Sequence, residues 1–182
     1  MTKLKPLTLF IFMLCTIQPN NAYNLIEETC KRTSNNAQCL QYLKSDPKSP
    51  AASLNGLAVI MFNNIMKNKA LNTITKIEKL LAGKDFPPGT RAYDSLKICA
   101  NLYKEIATSN VERGAKGSVL GEDPEVAIDA ANDVVMKANQ CENNFHGRKI
   151  DNQPTPVTDN NNEIILVATI AGDIVKLFRQ TG

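Results

Sequence analysis

The residues best equipped for chemistry in this chain are five cysteines, one histidine and a short run of acids. Cys15 sits in an apolar stretch near the start; Cys30, Cys39, Cys99 and Cys141 are spread over the rest. No C-x-x-C pair occurs, which argues against a redox-active dithiol, and the spacing fits no zinc template. Four cysteines admit three pairings. Cys30 and Cys39 are close and fall on two short helical segments, each too short to be stable alone in water. Cys99 and Cys141 each lie on the apolar stripe of a longer segment, placed to face each other across a bundle interior. The expected bridges are therefore Cys30–Cys39 and Cys99–Cys141. Loop entropy assigns them about 3 and about 4 kcal/mol.

The other reactive residues form no constellation. His146 is the single histidine and falls in an expected loop after Phe145, where a solvated surface role fits better than a general base. Glu122, Asp123, Glu125 and Asp129 cluster, but acids at the start of a helix are favoured by its dipole and by capping. There is no nucleophile elbow, metalloprotease helix or phosphate-cradling glycine motif. Gly114, Gly117 and Gly121 read as a glycine-rich loop that follows a helix rather than a strand. The chemistry expected is binding without catalysis, and no cofactor or metal is expected.

The elements that position these residues follow from apolar spacing. Lys3 and Lys5, an apolar run from Leu7 to Ile17, and the polar, small residues ending at Ala22 read as a secretory leader over 1–22. The run is shorter than the roughly 20 residues that span a bilayer. Losing the leader removes Cys15, which leaves four cysteines, an even number suited to disulfides in a secreted chain. It also lowers the net charge from +3 to about +1, too little for a broad footprint on nucleic acid or anionic membrane. Segments 24–32 and 37–45 form short helices, broken by Asp46-Pro47 and Pro50. Leu54, Leu57, Met61 and Ile65, then Leu71, Ile74, Ile77 and Leu81, mark a long helix with a polar patch at Lys67 to Lys69. Leu96, Cys99, Tyr103 and Ile106 mark the next. Asp123-Pro124 opens a third, with a stripe of Ala127, Ala131, Val134, Ala138, Cys141 and Phe145. Residues 147–156 read as loop, and Ile164, Ala168, Ala171, Val175 and Phe178 mark the fourth. The expected fold is all-α: an N-terminal α-hairpin over 23–50 and an up-down four-helix bundle over 51–182, with two disulfides.

The residues along 23–182 resemble the plant invertase and pectin methylesterase inhibitors. Asn24-Leu25-Ile26 leads to Cys30, eight residues precede Cys39-Leu40, and Leu43 precedes Ser45-Asp46-Pro47-Lys48-Ser49. Leu57 to Met61, the Leu96, Cys99 and Tyr103 spacing, and Cys141-Glu142 with Phe145 complete the likeness. It implies the same hairpin-plus-bundle fold and sequential disulfides, and a non-covalent complex that covers a target enzyme's cleft. The first half is more similar to the invertase inhibitors. Those insert a Pro-Lys-Phe tripeptide at the loop entering the third bundle helix, seventeen residues before the last cysteine, where Pro124-Glu125-Val126 stands here. Glu in place of Lys is repelled by acidic catalytic groups, and Val fills less of a pocket than Phe.

Asp123, Pro124, Glu125 and Val126 are thus the expected target contacts. The main expectation is a secreted protein inhibitor of acid invertase, monomeric when free, in the apoplast or vacuole. An inhibitor of pectin methylesterase is the second reading, using exposed faces of the bundle helices. A secreted helical signalling or carrier module is the third, because fold alone does not fix function.

Overall fold

A computed structural model describes residues 19–120, 122–146 and 155–179. Residues 1–18 of the expected leader, Gly121 and residues 147–154 of the expected loop lie outside them. Among the described residues every regular element is helical. Two short helices, α1 (Pro19–Lys31) and α2 (Asn36–Ser45), form the N-terminal hairpin. Helix α1 starts ahead of Asn24 and crosses the expected cleavage position after Ala22. Helix α2 starts at Asn36 because the Asn35 side chain accepts the Gln38 N–H at 3.2 Å.

Asp46 does more than break the chain. It is buried; its Oδ1 accepts the Lys48 N–H at 2.9 Å and its Oδ2 accepts from Asn64 Nδ2 at 2.6 Å. The break between hairpin and bundle is thereby tied to the first long helix. A second tie runs from the Ser34 N–H to Asp173 Oδ2, 2.8 Å, on the last helix.

Four helices make the bundle. Helix α3 (54–82) is capped by Ser53, whose side chain accepts the Gly56 N–H, and contains a π turn at Met61–Met66. Helix α4 (91–117) is capped by Thr90 and contains a π turn at Ile106–Asn110. Helices α5 (Pro124–His146) and α6 (Thr158–Arg179) are uninterrupted. Each helix packs on the next, and α6 returns to α3 to close the ring. The core is mostly small and aliphatic around fully buried Phe62 and Tyr103. Cys30 and Cys39 bridge α1 to α2 with Cα atoms 5.5 Å apart, and Cys99 and Cys141 bridge α4 to α5 at 4.8 Å. All four sulfur-bearing residues are buried.

Three local expectations are corrected. The π turn in α3 buries Met61, Phe62 and Met66, and burial continues through Ala70, Thr73, Ile74 and Ile77. The extra residue rotates the later stripe, so Leu71 stands 45% exposed instead of in the core. Gly114 and Gly117 lie inside α4, both buried, not in a loop. A Cβ on Gly114 would come within 2.2 Å of the Phe62 ring, and one on Gly117 within 2.7 Å of the Ala127 nitrogen. Their role is close helix packing, for which a hydrogen is the only side chain that fits. His146 is the last residue of α5 rather than part of the following loop.

Candidate functional site

The expected contact residues sit where α4 turns into α5. The end of α4 is held tightly: Ser118 is buried, its Oγ donates to Gly114 O at 2.7 Å, and its carbonyl accepts from Asn55 Nδ2 at 3.2 Å. Val119 and Leu120 follow, and the Glu122 N–H donates to Val119 O at 3.1 Å. Asp123 opens α5 as its cap: Oδ1 accepts the Glu125 N–H at 2.9 Å. Pro124, at the first helical position, has no N–H to leave unpaired. Asp123, Glu125 and Val126 are exposed and Pro124 is partly buried, so the structure brings all four expected residues to one accessible turn.

Glu125 is not a free carboxylate there. The Arg179 guanidinium, from the last turn of α6, donates to its Oε1. Both side chains are about half exposed, so the pair adds little stability. It does offset the negative charge that the sequence places on this turn. Sequence reading missed Arg179, which is 54 residues away along the chain, and it missed Val119 and Leu120, which belong to no helical stripe.

The groups with perturbed ionisation lie away from this turn and have structural causes. Burial drives the Tyr103 phenol well above its ordinary range; a hydrogen bond with Thr73 opposes the shift, and the Glu142 and Glu163 charges add to it. Tyr103 is thus a neutral donor, giving its proton to Asn161 Oδ1 at 2.8 Å. Asn161 Nδ2 in turn donates to Glu142 Oε2 at 2.6 Å, and the Thr158 hydroxyl donates to Glu142 Oε1 at 2.7 Å. For Asp133, partial burial pushes its pKa up. Hydrogen bonds from Lys137 and Asn110, with the Lys137 and Arg113 charges, outweigh that and hold it below the usual carboxylate range. These are clamps between helices. Among the described residues no three His, Cys, Asp or Glu side chains are grouped to hold a metal ion. Among them, too, no helix is long and apolar enough to cross a membrane.

The described residues form a disulfide-braced helical bundle with an exposed turn ahead of α5 and polar clusters that hold helices together. Residues 24–174 match the family model described as plant invertase/pectin methylesterase inhibitor, and the chain belongs to that family of enzyme inhibitors. It is 32% identical over 124 residues to the "Cell wall / vacuolar inhibitor of fructosidase 1" of Arabidopsis thaliana, a match covering 68% of this chain. The chain spans 57% of that relative's own length. It is 28% identical over 142 residues to "Pectinesterase inhibitor 2" of the same plant, covering 78% of each. Among solved structures, a mutant form of a pectin methylesterase inhibitor from Arabidopsis superposes with a TM-score of 0.61 at 22% identity, over 81% of this chain and 93% of that one. That likeness shows the fold.

Proposed function

We propose that this protein is a secreted inhibitor of an acid invertase (β-fructofuranosidase), acting by non-covalent occlusion of the enzyme's cleft through Asp123, Pro124, Glu125 and Val126. The observation that carries this reading is the 32% identity to an inhibitor of fructosidase over two thirds of the chain. The exposed turn ahead of α5 supports it, because the Glu125–Arg179 pair removes much of the repulsion that a lone glutamate brings to an acidic cleft. Residues 1–22 act as a secretory leader; its removal after Ala22 leaves α1 as a helix from Tyr23 and directs the protein to the cell wall, with the vacuole as the other destination. The free protein is a monomer, associates with no membrane once the leader is gone, binds no nucleic acid and needs no cofactor.

The test is titration of the purified, oxidised protein against an acid invertase and, in parallel, a pectin methylesterase. The expected result is loss of sucrose hydrolysis at near-equal molar ratio. Undiminished hydrolysis at large molar excess overturns the invertase reading. A fall in methanol release from pectin in the same experiment replaces it with the second reading, favoured by the 28% identity to a pectinesterase inhibitor.

A further inference from the structure

Three apolar side chains stand out on the turn between α4 and α5. Leu120 is 86% exposed, Val119 49% and Val126 37%. The other large exposed apolar residues, Leu71, Ile98 and Met136, are single positions on the outer faces of helices, an ordinary occurrence. Val119 and Leu120 are consecutive and project from the molecule at the end of a buried stem, beside the helix turn that carries Val126. Gly117 in that stem is pressed against the Asp123 carbonyl and the Ala127 nitrogen, so the two arms of the turn are packed on each other. An apolar tip on a braced stem loses little conformational freedom when it is buried by a partner.

We propose that Leu120 is the apolar anchor of the inhibitory surface, seated in an apolar pocket at the mouth of the inhibited enzyme's cleft. This rests on the inhibitor reading above and adds to it a residue outside the four expected contacts. The rim argues for a protein partner. Lys116, Glu122, Asp123 and the Glu125–Arg179 pair surround the tip with mixed charge. A buried apolar centre inside a polar rim is the usual anatomy of a protein interface. Attachment to an anionic membrane calls instead for a basic rim.

The experiment compares Leu120→Asp, Leu120→Ala and Leu120→Met with the unaltered protein. Inhibition constants are read against invertase and pectin methylesterase, together with melting temperature, sedimentation and co-pelleting with anionic vesicles. Expected are a loss of potency of about 30-fold or more for Leu120→Asp, a smaller loss for Leu120→Ala and near-full potency for Leu120→Met. The melting temperature stays unchanged, since so exposed a side chain supports no packing. A Leu120→Asp variant as potent as the unaltered inhibitor overturns the anchor and leaves the inhibitor reading intact. So does concentration-dependent pairing, or vesicle binding, that Leu120→Asp abolishes without changing inhibition, because the tip then serves a second copy or a lipid surface. An unaltered protein that inhibits neither enzyme overturns both proposals.

Discussion

The two ends of the bundle are built on opposite plans. At the end where α5 finishes and α6 begins, Tyr103, Asn161, Glu142 and Thr158 join three helices through hydrogen bonds of 2.6 to 2.8 Å, and Cys99–Cys141 crosses from α4 to α5 nearby in sequence. The polar groups of this network are turned inward and engaged. At the opposite end, where α4 gives way to α5 and α6 finishes, the charged groups are at the surface and apolar side chains project outward, beyond the buried Ser118. The closed end fixes α4, α5 and α6; the open end is thereby free to carry side chains chosen for a partner rather than for the core. Substitutions at the closed end and in the bundle walls should therefore change stability, and those at the open end should change recognition.

The largest stability effect is expected at the disulfide between the bundle helices. Replacing Cys141 with Ser reopens a 42-residue separation in the unfolded chain and leaves a buried thiol at Cys99. The expected loss is about 4 kcal/mol, or about 10 °C in melting temperature for a domain of this size. Calorimetry of the oxidised variant measures it. An unchanged melting temperature denies the covalent brace any part in the contrast between the ends.

Next in size is Gly114→Ala, in the wall between α3 and α4. The new methyl overlaps the ring of Phe62, which is wholly buried and has nowhere to turn. Overpacking of this kind costs about 1–3 kcal/mol. Pairing the change with Phe62→Leu should recover part of the loss. A double variant no better than Gly114→Ala alone removes the ring as the cause.

That position also shows what a sequence can and cannot disclose here. The stripes from Ala127 to Cys141 and from Ile164 to Val175 are legible because an unbroken helix repeats its buried face every three or four residues, and every stripe residue between those limits is buried. The fold class and the Cys99–Cys141 bridge follow from the same regularity, and the Cys30–Cys39 bridge from the nearness of two cysteines on short helices. In α3 and α4 the π turns break it. Spacing alone puts Leu71 in the core, and glycine, usually a helix breaker, suggests a loop at Gly114 and Gly117. Both positions are helical, and glycine stands there because Phe62 and Ala127 approach too closely for any side chain, a tertiary fact with no local trace. The turn that carries the expected contacts is legible for a different reason. Asp123-Pro124 is a helix start, and a helix start is necessarily at a chain turn. Leu120 and Arg179 are not, since one stands out only by its exposure and the other only by its partner. Asn161 lies ahead of Ile164, the first residue of its stripe, so nothing in the spacing marks its inward role.

Asn161→Ala tests the closed end directly. Tyr103 then loses the acceptor of its hydroxyl, and Glu142 loses one of its donors. A buried polar group without a partner costs about 1–3 kcal/mol. The variant should melt several degrees lower and keep its potency toward the target enzyme once folded. If Asn161→Ala instead weakens inhibition while the melting temperature holds, the closed end participates in recognition and the division of labour is wrong.

The smallest effect is expected at the open end. Arg179 and Glu125 form an ion pair in which both side chains are about half exposed, so water screens the attraction and their freedom of movement offsets much of the remainder. Arg179→Ala, Glu125→Ala and the double variant should each stay within about 2 °C of the unaltered melting temperature. The coupling from the double-mutant cycle should come to about 0.5 kcal/mol or less and fade in high salt. Recognition should separate the two. Without Arg179 the turn carries an uncompensated glutamate, so an enzyme with an acidic cleft binds Arg179→Ala more weakly, and Glu125→Ala in the same chain restores the affinity. A cleft lined with basic groups reverses that order, because the bared glutamate then attracts. The sign of the change thus reports the charge of the surface against which this end is set. A fall of more than about 5 °C in any of the three variants makes the pair a structural brace and erases the difference between the two ends.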